Sequence, residues 1–127
     1  MPKFSRRSLK RLDECHPLLR RLMLSVVEET DISIICGARG EAEQNEAYAL
    51  GHSKLRWPQS KHNLSPSMAV DAVPFPIDWK DIDRFKELGQ IVKQHWERIP
   101  AEERSGASLS WGGDWKTFKD YPHWELK

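Results

Sequence analysis

The spacing of apolar residues predicts two helices, and the composition of residues 41–50 predicts a third. Between residues 9 and 29, apolar side chains recur every three or four positions, which predicts one amphipathic helix. The same periodicity over Asp81 to Trp96 predicts another. Residues 41–50 are rich in helix formers and are followed by Gly51, a common C-terminal signal.

Four short apolar runs predict strands. They cover Ile32–Cys36, Val70–Phe75, Ser108–Trp111 and Tyr121–Leu126. The Pro- and Ser-containing residues 52–67 predict a loop. Because these strands do not alternate regularly with the helices, we expect an α+β fold, a small antiparallel sheet flanked by helices.

Length, charge and cysteine content limit the classes of function that the chain can have. A chain of 127 residues is the size of one domain, so we expect a single domain over residues 1–127, and a monomer. The net charge of +1 argues against a nucleic-acid partner, and no apolar run is long enough for membrane insertion. The N-terminus has no apolar segment of a secretory signal. The two cysteines, Cys15 and Cys36, form neither a zinc motif nor a disulfide framework.

The candidate chemistry lies in two stretches. His62 precedes Asp71, a carboxylate inside an apolar strand that is costly to bury unless it is paired or bound to a metal. Near the C-terminus, Asp120 lies three residues before His123. Two imidazoles and one carboxylate fill three corners of a zinc tetrahedron and leave the fourth for water. Asp120 would then be the general base. The alternative is ordinary surface histidines and a salt-bridged aspartate.

These motifs resemble those of the zinc peptidases of the D-alanyl-D-alanine carboxypeptidase (VanY-like) type. That family carries S-x-H, then G-x-A-x-D, then a late D/E-x-x-H, after an upstream G-x-R and a glutamine. The corresponding residues here are Ser60-Lys61-His62, Ser67-Met68-Ala69-Val70-Asp71, Asp120-Tyr121-Pro122-His123, Gly37-Ala38-Arg39 and Gln44. Ser67 replaces the family's glycine, and the loop from His62 to Asp71 is two residues longer than the common pattern.

The segment from Trp111 to Trp124 further resembles bacteriophage endolysins that are L-alanyl-D-glutamate endopeptidases. The resemblance implies a hedgehog/D-Ala-D-Ala-peptidase-like fold with Zn²⁺ held by His62, Asp71 and His123. It also implies Asp120 as general base, and Arg39 as the group that stabilises the carbonyl oxygen or binds a substrate carboxylate. We expect Ser60 and Trp111 to contact the substrate, with a supporting role behind the metal as the alternative for Ser60 and core packing for Trp111.

The resemblance implies hydrolysis of the L-Ala–D-Glu bond in peptidoglycan stem peptides. Such an enzyme would stay in the host cytoplasm until a separate pore protein lets it reach the periplasm and cell wall, and no separate wall-binding domain is expected. Two alternatives remain open. One is a D,D-carboxypeptidase or dipeptidase that removes D-Ala. The other is a non-catalytic zinc-fold module that binds the cell wall.

Two features outside the motifs also have alternatives. His16 precedes Pro17 and is expected in a core or capping role. A basic cluster near the N-terminus predicts a solvated helix face, with weak attraction to an anionic cell wall or outer-membrane surface as the alternative. This cluster comprises Arg6, Arg7, Lys10 and Arg11.

Overall fold

The computed structural model describes residues 3–127 and shows four helices around one sheet. The helices are α1 (Arg6–Asp13), α2 (Pro17–Glu29), α3 (Glu41–Ala49) and α4 (Ile82–Arg98). The strands are β1 (Ile32–Cys36), β2 (Ala69–Pro74), β3 (Leu109–Trp111) and β4 (His123–Leu126). Single 3-10 turns cover Lys61–Asn63, Ala101–Arg104 and Gly112–Asp114. This arrangement confirms the predicted α+β class.

The sheet has the strand order β1-β2-β4-β3, and every neighbouring pair is antiparallel. Of the four strands, the inner β2 and β4 are the most completely buried, and β2 is buried at all six positions. Apolar side chains of the sheet pack with those of α2 and α4 to form one core, which includes Leu19, Leu22, Val26, Val70, Val92, Trp111 and Trp124. Within the described residues no helix is both long enough and apolar enough to cross a membrane.

The prediction of one helix over residues 9–29 is wrong, because the chain forms α1 and α2 with a break between them. Pro17 occupies the first turn of α2, where its missing N–H costs nothing, and its ring would clash with a continuous helix. His16 caps α2, since its Nδ1 accepts a hydrogen bond from Leu18 N at 3.1 Å. The apolar stripe nevertheless continues across the break through Leu12, Cys15 and Leu18, which are all buried.

Helix α1 covers the free edge of strand β1. The buried hydroxyl of Ser8 accepts from Ile34 N at 3.0 Å, and Arg11 Nη1 donates to Ile34 O at 3.1 Å. An uncovered edge strand would leave these backbone groups open to pairing with another chain. Side chains of α1 therefore fix the helix against the sheet.

Helix α3 has no apolar face directed at the core. Its only buried side chain is Gln44, which has no solvent-exposed surface. Hydrophobic burial therefore contributes little to the attachment of α3. The hydrogen bonds of Gln44 attach this helix to the rest of the fold.

Candidate active site

Three side chains from separate parts of the chain converge beside the inner strands. Asp71 of β2 is directly opposite His123 of β4 in the antiparallel register. His62 comes from the 3-10 turn Lys61–Asn63, which Ser60 caps by accepting from His62 N at 3.2 Å. All three side chains are buried. Sheet register and one capped turn therefore place the residues that the sequence singled out.

The three side chains meet through one atom each. Asp71 Oδ1 lies 3.3 Å from His62 Nε2 and 3.3 Å from His123 Nδ1, and the two nitrogens are 3.2 Å apart. Atoms that bind one tetrahedral ion at about 2.0–2.1 Å are separated by about 3.3 Å. The observed triangle therefore has the size of one face of a metal tetrahedron.

The hydrogen bonds on the far side of each ring determine which nitrogens face the triangle as acceptors. His62 Nδ1 donates to Gly37 O at 2.7 Å, and His123 Nε2 donates to Glu125 Oε1 at 2.7 Å. In neutral imidazoles the opposite nitrogens then carry lone pairs. Asp71 Oδ1 is buried, and nothing among residues 3–127 hydrogen-bonds to it. Three acceptors that face one another repel, so this donor set fits a cation.

Without a cation, protons take its place in the triangle. Burial disfavours charged imidazole, but the carboxylate of Asp71 raises the pKa of His62 to about 10. Burial opposes protonation of His123 as well, yet the carboxylates of Asp71 and Glu125 beside its ring raise its pKa to about 9. Burial alone would raise the pKa of Asp71, but the two imidazoles hold it well below its usual range.

The triangle lies in the wall of a cavity of about 620 Å³, which Arg39 and Asp120 also line. Asp120 is half-buried. Burial, together with the negative charge of Asp71, raises the pKa of Asp120 to about 6. A carboxylate with this pKa is suited to accept and return a proton near neutral pH.

Arg39 is held by neighbours on two sides. Its Nη1 donates to Gln44 Oε1 at 3.0 Å, and its Nη2 donates to Cys36 Sγ at 3.6 Å. Nη2 also lies 3.9 Å from Asp71 Oδ2, the carboxylate oxygen that is not part of the triangle. The guanidinium is therefore fixed at the cavity wall next to the candidate metal position.

Cys36 is a further possible ligand beside the triangle. Cys36, His62 and Asp71 each offer one ligand atom within 4.8 Å of the other two. Cys36 Sγ, however, lies 3.6 Å from His62 Nδ1, on the side of the ring that bonds Gly37 O. The thiol is thus behind His62 rather than across from the open side of the triangle.

Trp111, which was expected to contact the substrate, packs in the core, and Trp115 lines the cavity. Trp111 is 5% exposed, stacks on Trp124 with ring centroids 5.4 Å apart, and does not line the cavity. Its Nε1 donates to Tyr121 O at 2.7 Å, so the side chain is a satisfied core residue. Trp115 lines the cavity instead, with its ring 5.2 Å from that of His123.

Two glycines between these tryptophans permit close packing. A Cβ at Gly112 would overlap the carbonyl oxygen of Asp120 and lie 2.9 Å from its Cβ. A Cβ at Gly113 would overlap the ring of Trp111. Gly112 also accepts a hydrogen bond from Asp120 N at 3.0 Å. The turn after β3 therefore sets the position of Asp120.

The long loop after His62 returns to β2 through Ser67. The hydroxyl of Ser67 is fully buried, donates to Ala69 O at 2.6 Å and lies 3.2 Å from Gly37 O. Gly37 O is also the acceptor for His62 Nδ1. Ser67, which replaces the family's glycine, is thus tied to the backbone that orients His62.

The sequence analysis does not include Glu125 in the site, and it identifies Gln44 only as a match to the family's glutamine. Glu125 is two residues after His123, and alternate residues of a strand share a face, so the spacing could have indicated a carboxylate beside that histidine. Nothing in the sequence pattern indicated that Gln44, in a polar helix, is buried and bonded to Arg39.

The fold and the site together define a class of protein: a sheet-and-helix unit with a His–Asp–His cluster that lines a cavity. The model of the phage L-alanyl-D-glutamate peptidase family matches residues 1–126, so the chain belongs to this family. The expected family and fold are thereby confirmed.

Two relatives agree with this assignment. The peptidoglycan L-alanyl-D-glutamate endopeptidase CwlK of Bacillus subtilis (strain 168) is 34% identical over 105 residues. The match covers 76% of this chain and 60% of CwlK, so the chain spans about three fifths of that relative. The crystal structure of the L-Ala D-Glu endopeptidase ChiX from Serratia marcescens superposes with a TM-score of 0.77 at 30% identity, covering 99% of this chain and 91% of ChiX.

Proposed function

We propose that this protein is a zinc-dependent peptidase that hydrolyses the L-Ala–D-Glu bond of peptidoglycan stem peptides. The observation that carries the proposal is the triangle of acceptor atoms, His62 Nε2, Asp71 Oδ1 and His123 Nδ1, at the wall of the cavity that Arg39 and Asp120 also line. The family and the two relatives supply the bond that is cut.

Zinc is the ion that this donor set favours. Two imidazole nitrogens and one carboxylate oxygen are the ligands of catalytic zinc sites, which keep one position open. Mg²⁺ and Ca²⁺ prefer sets made of oxygen alone. When bound, zinc would supply a Lewis acid for the scissile carbonyl and lower the pKa of a water molecule to about 7.

Asp120 is the proposed general base. Its carboxylate accepts the proton of the attacking water and then delivers it to the nitrogen of the leaving amine. The raised pKa, about 6, makes both transfers feasible near neutral pH.

Arg39 and two cavity residues complete the proposed machinery. The guanidinium of Arg39, held by Gln44, binds the negative charge that develops on the carbonyl oxygen or a carboxylate of the substrate. Ser60 acts through its hydrogen bond to His62 N, and positions the turn that carries this ligand. Trp115, beside His123, offers an apolar face to the peptide.

The biological setting is part of the proposal. The phage family of the chain fits an enzyme that lyses its bacterial host after a separate pore protein admits it to the wall. We infer that it acts as a monomer, because His62, Asp71 and His123 all come from one chain.

Product analysis of digested peptidoglycan tests the proposed activity. Mass spectrometry should detect fragments with a new N-terminal D-Glu, whereas release of D-Ala would identify a carboxypeptidase instead. The variant Asp120→Ala should bind zinc and lose hydrolysis. A non-catalytic binding module would have no hydrolysis to lose. Asp114→Ala is the matched control, since Asp114 is an exposed acid of the same segment paired with Lys93 at 2.8 Å.

A further inference from the structure

A second concave surface lies beside the catalytic cavity, between helix α1 and the end of strand β1. This basic cleft has a volume of about 590 Å³ and runs between helix α1 and the segment Cys36–Ala38. Its cations are Arg6, Arg7, Lys10 and Arg11. Ile35 lines both the basic cleft and the catalytic cavity, so the two are close neighbours.

The positive charge of the chain is concentrated in its N-terminal segment, and four of the cations of that segment line the cleft. Residues 1–21 contain seven of the 20 Lys and Arg but only two of the 19 Asp and Glu. Their formal charge is +5, which leaves −4 for the remainder of a chain whose total is +1. The net charge is close to zero, but the charge is distributed unevenly along the chain. A local excess of positive charge of this kind attracts an anionic partner.

The cations are available to a ligand, while the acids of the cleft are engaged. Arg6, Arg7 and Lys10 are exposed, and within residues 3–127 none of them makes an ion pair. Glu14 Oε1 accepts from Ala38 N at 3.2 Å, and Glu43 Oε1 accepts from Gly40 N at 3.5 Å. Four cations against two carboxylates give the lining of the basic cleft a formal charge of +2.

The cations are also held in place by the fold. The hydroxyl of Ser8 and the guanidinium of Arg11 bind the two backbone groups of Ile34, which fixes α1 on the sheet. The three exposed cations at positions 6, 7 and 10 lie within about one turn of that helix. A ligand meets a preformed array rather than a mobile tail, so less ordering entropy is lost on binding.

We propose that the basic cleft binds carboxylates of polymeric peptidoglycan, on stem peptides next to the one that is cut. This inference rests on the proposed function. Stem peptides carry free carboxylates and recur along each glycan strand, so the polymer is a dense polyanion. Arg and Lys bind carboxylates through charge-assisted hydrogen bonds. A second contact beside the catalytic cavity strengthens binding of the polymer and leaves binding of an isolated peptide unchanged.

The test compares one cleft variant with a charge-matched control on two substrates. The cleft variant carries Arg6→Gln, Arg7→Gln and Lys10→Gln, and keeps Arg11 because it bonds Ile34. The control carries Lys80→Gln, Lys86→Gln and Lys116→Gln, which are exposed and line neither cavity. The substrates are intact peptidoglycan sacculi and a soluble stem tripeptide, L-Ala-γ-D-Glu-L-Lys.

The cleft variant should need about tenfold more sacculi for half-maximal hydrolysis, at the low end of electrostatic effects on encounter. Its kcat/KM for the tripeptide should equal that of the wild type. The control should match the wild type on both substrates. Added salt should weaken wild-type binding to sacculi and affect the cleft variant less.

Several results would overturn this inference. They are equal losses in the cleft variant and the control, an equal loss on the tripeptide, or unchanged use of sacculi. A cleft variant that loses binding only to vesicles of anionic phospholipid would assign the surface to membranes instead. Co-sedimentation with sacculi measures binding by the cleft even if the wild type cleaves no tripeptide, so failure of the proposed activity is distinguishable from failure of the cleft.

Discussion

Arg39 Nη1 donates to Gln44 Oε1 at 3.0 Å, and Gln44 itself is completely buried. The amide nitrogen of Gln44 donates to Leu55 O at 2.6 Å and to Ser53 Oγ at 3.0 Å, on another wall of the same cavity. One glutamine therefore connects the guanidinium proposed for catalysis to the loop of Ser53 and Leu55, which lines the same cavity.

Two substitutions separate these tasks of Gln44. Gln44→Glu keeps an acceptor oxygen for Arg39 but loses the amide donor to Leu55 O and Ser53 Oγ. Gln44→Met loses both the acceptor and the donor. We expect Gln44→Met to lower kcat by about tenfold or more, because Arg39 is no longer oriented. Gln44→Glu should mainly raise KM, because the loop is released. Steady-state kinetics on stem peptides measure both constants.

Asn45→Ala is the control for these variants. Asn45 is on the same helix and accepts from Trp57 N at 3.1 Å, but it does not contact Arg39. This variant should retain the kcat of the wild type. If Gln44→Glu and Gln44→Met lose kcat equally, orientation of Arg39 is not the task of Gln44.

Zinc binding should release protons from the metal-free protein. At pH 7 the raised pKa values of His62, about 10, and His123, about 9, keep these rings protonated until the ion displaces the protons. Apparent zinc affinity should therefore rise as the pH increases from 7 towards 9. Calorimetry in buffers of different ionisation enthalpy measures the protons released. Binding without proton release at pH 7 would show that the facing nitrogens are already free.

The catalytic rate should depend on pH through Asp120. Its pKa is raised to about 6 by burial and by Asp71, so the carboxylate is lost as the pH falls through this value and activity should fall with it. A bound cation offsets the charge of Asp71 and moves this midpoint downwards, never upwards. The pH profile of kcat should lose its acidic limb in Asp120→Asn, whose residual rate should be flat. An acidic limb that persists in this variant belongs to another group.

Gly112→Ala should damage the active site more than the fold. The added Cβ would overlap the carbonyl oxygen of Asp120, a backbone atom, so the segment that carries the base must shift. Overpacking of this kind costs about 1–3 kcal/mol of stability. We expect a larger proportional loss of kcat than of folded protein, measured by kinetics beside thermal unfolding. Gly40→Ala is the control, because its Cβ would meet only Glu43 Oε1, at 3.7 Å. Full activity in Gly112→Ala would contradict this account of the turn.

Much of the fold could be predicted because periodicity and burial coincide. The strand at Ile32–Cys36 is found with its predicted bounds, and the predicted helix over residues 41–50 is found at Glu41–Ala49. Apolar periodicity alone does not reveal the break between α1 and α2, because the apolar stripe continues through it. The decisive signal was Pro17, whose effect on helix geometry outweighs hydrophobic periodicity.

Part of the candidate site could also be predicted from the sequence, and part could not. The sequence predicts a partner for Asp71, because a carboxylate inside an apolar strand is costly to bury alone. In the structure two imidazoles lie beside it. Trp111 and Trp115 could not be told apart, since only tertiary packing decides which ring enters the core. The sequence shows the basic cluster, but the cleft that it lines and the hydrogen bonds of Gln44 depend on contacts between distant segments, which no local pattern records.

Metal content measured on purified variants tests the central claim most directly. The wild type, saturated with zinc and then desalted, should retain one zinc ion per chain by atomic emission spectrometry. His123→Ala and Asp71→Asn should retain none, while Asp120→Ala and the exposed-residue control His52→Ala should each retain one. Stoichiometric zinc in His123→Ala, or its absence from the wild type, would contradict the proposal that these two imidazoles and one carboxylate hold the ion.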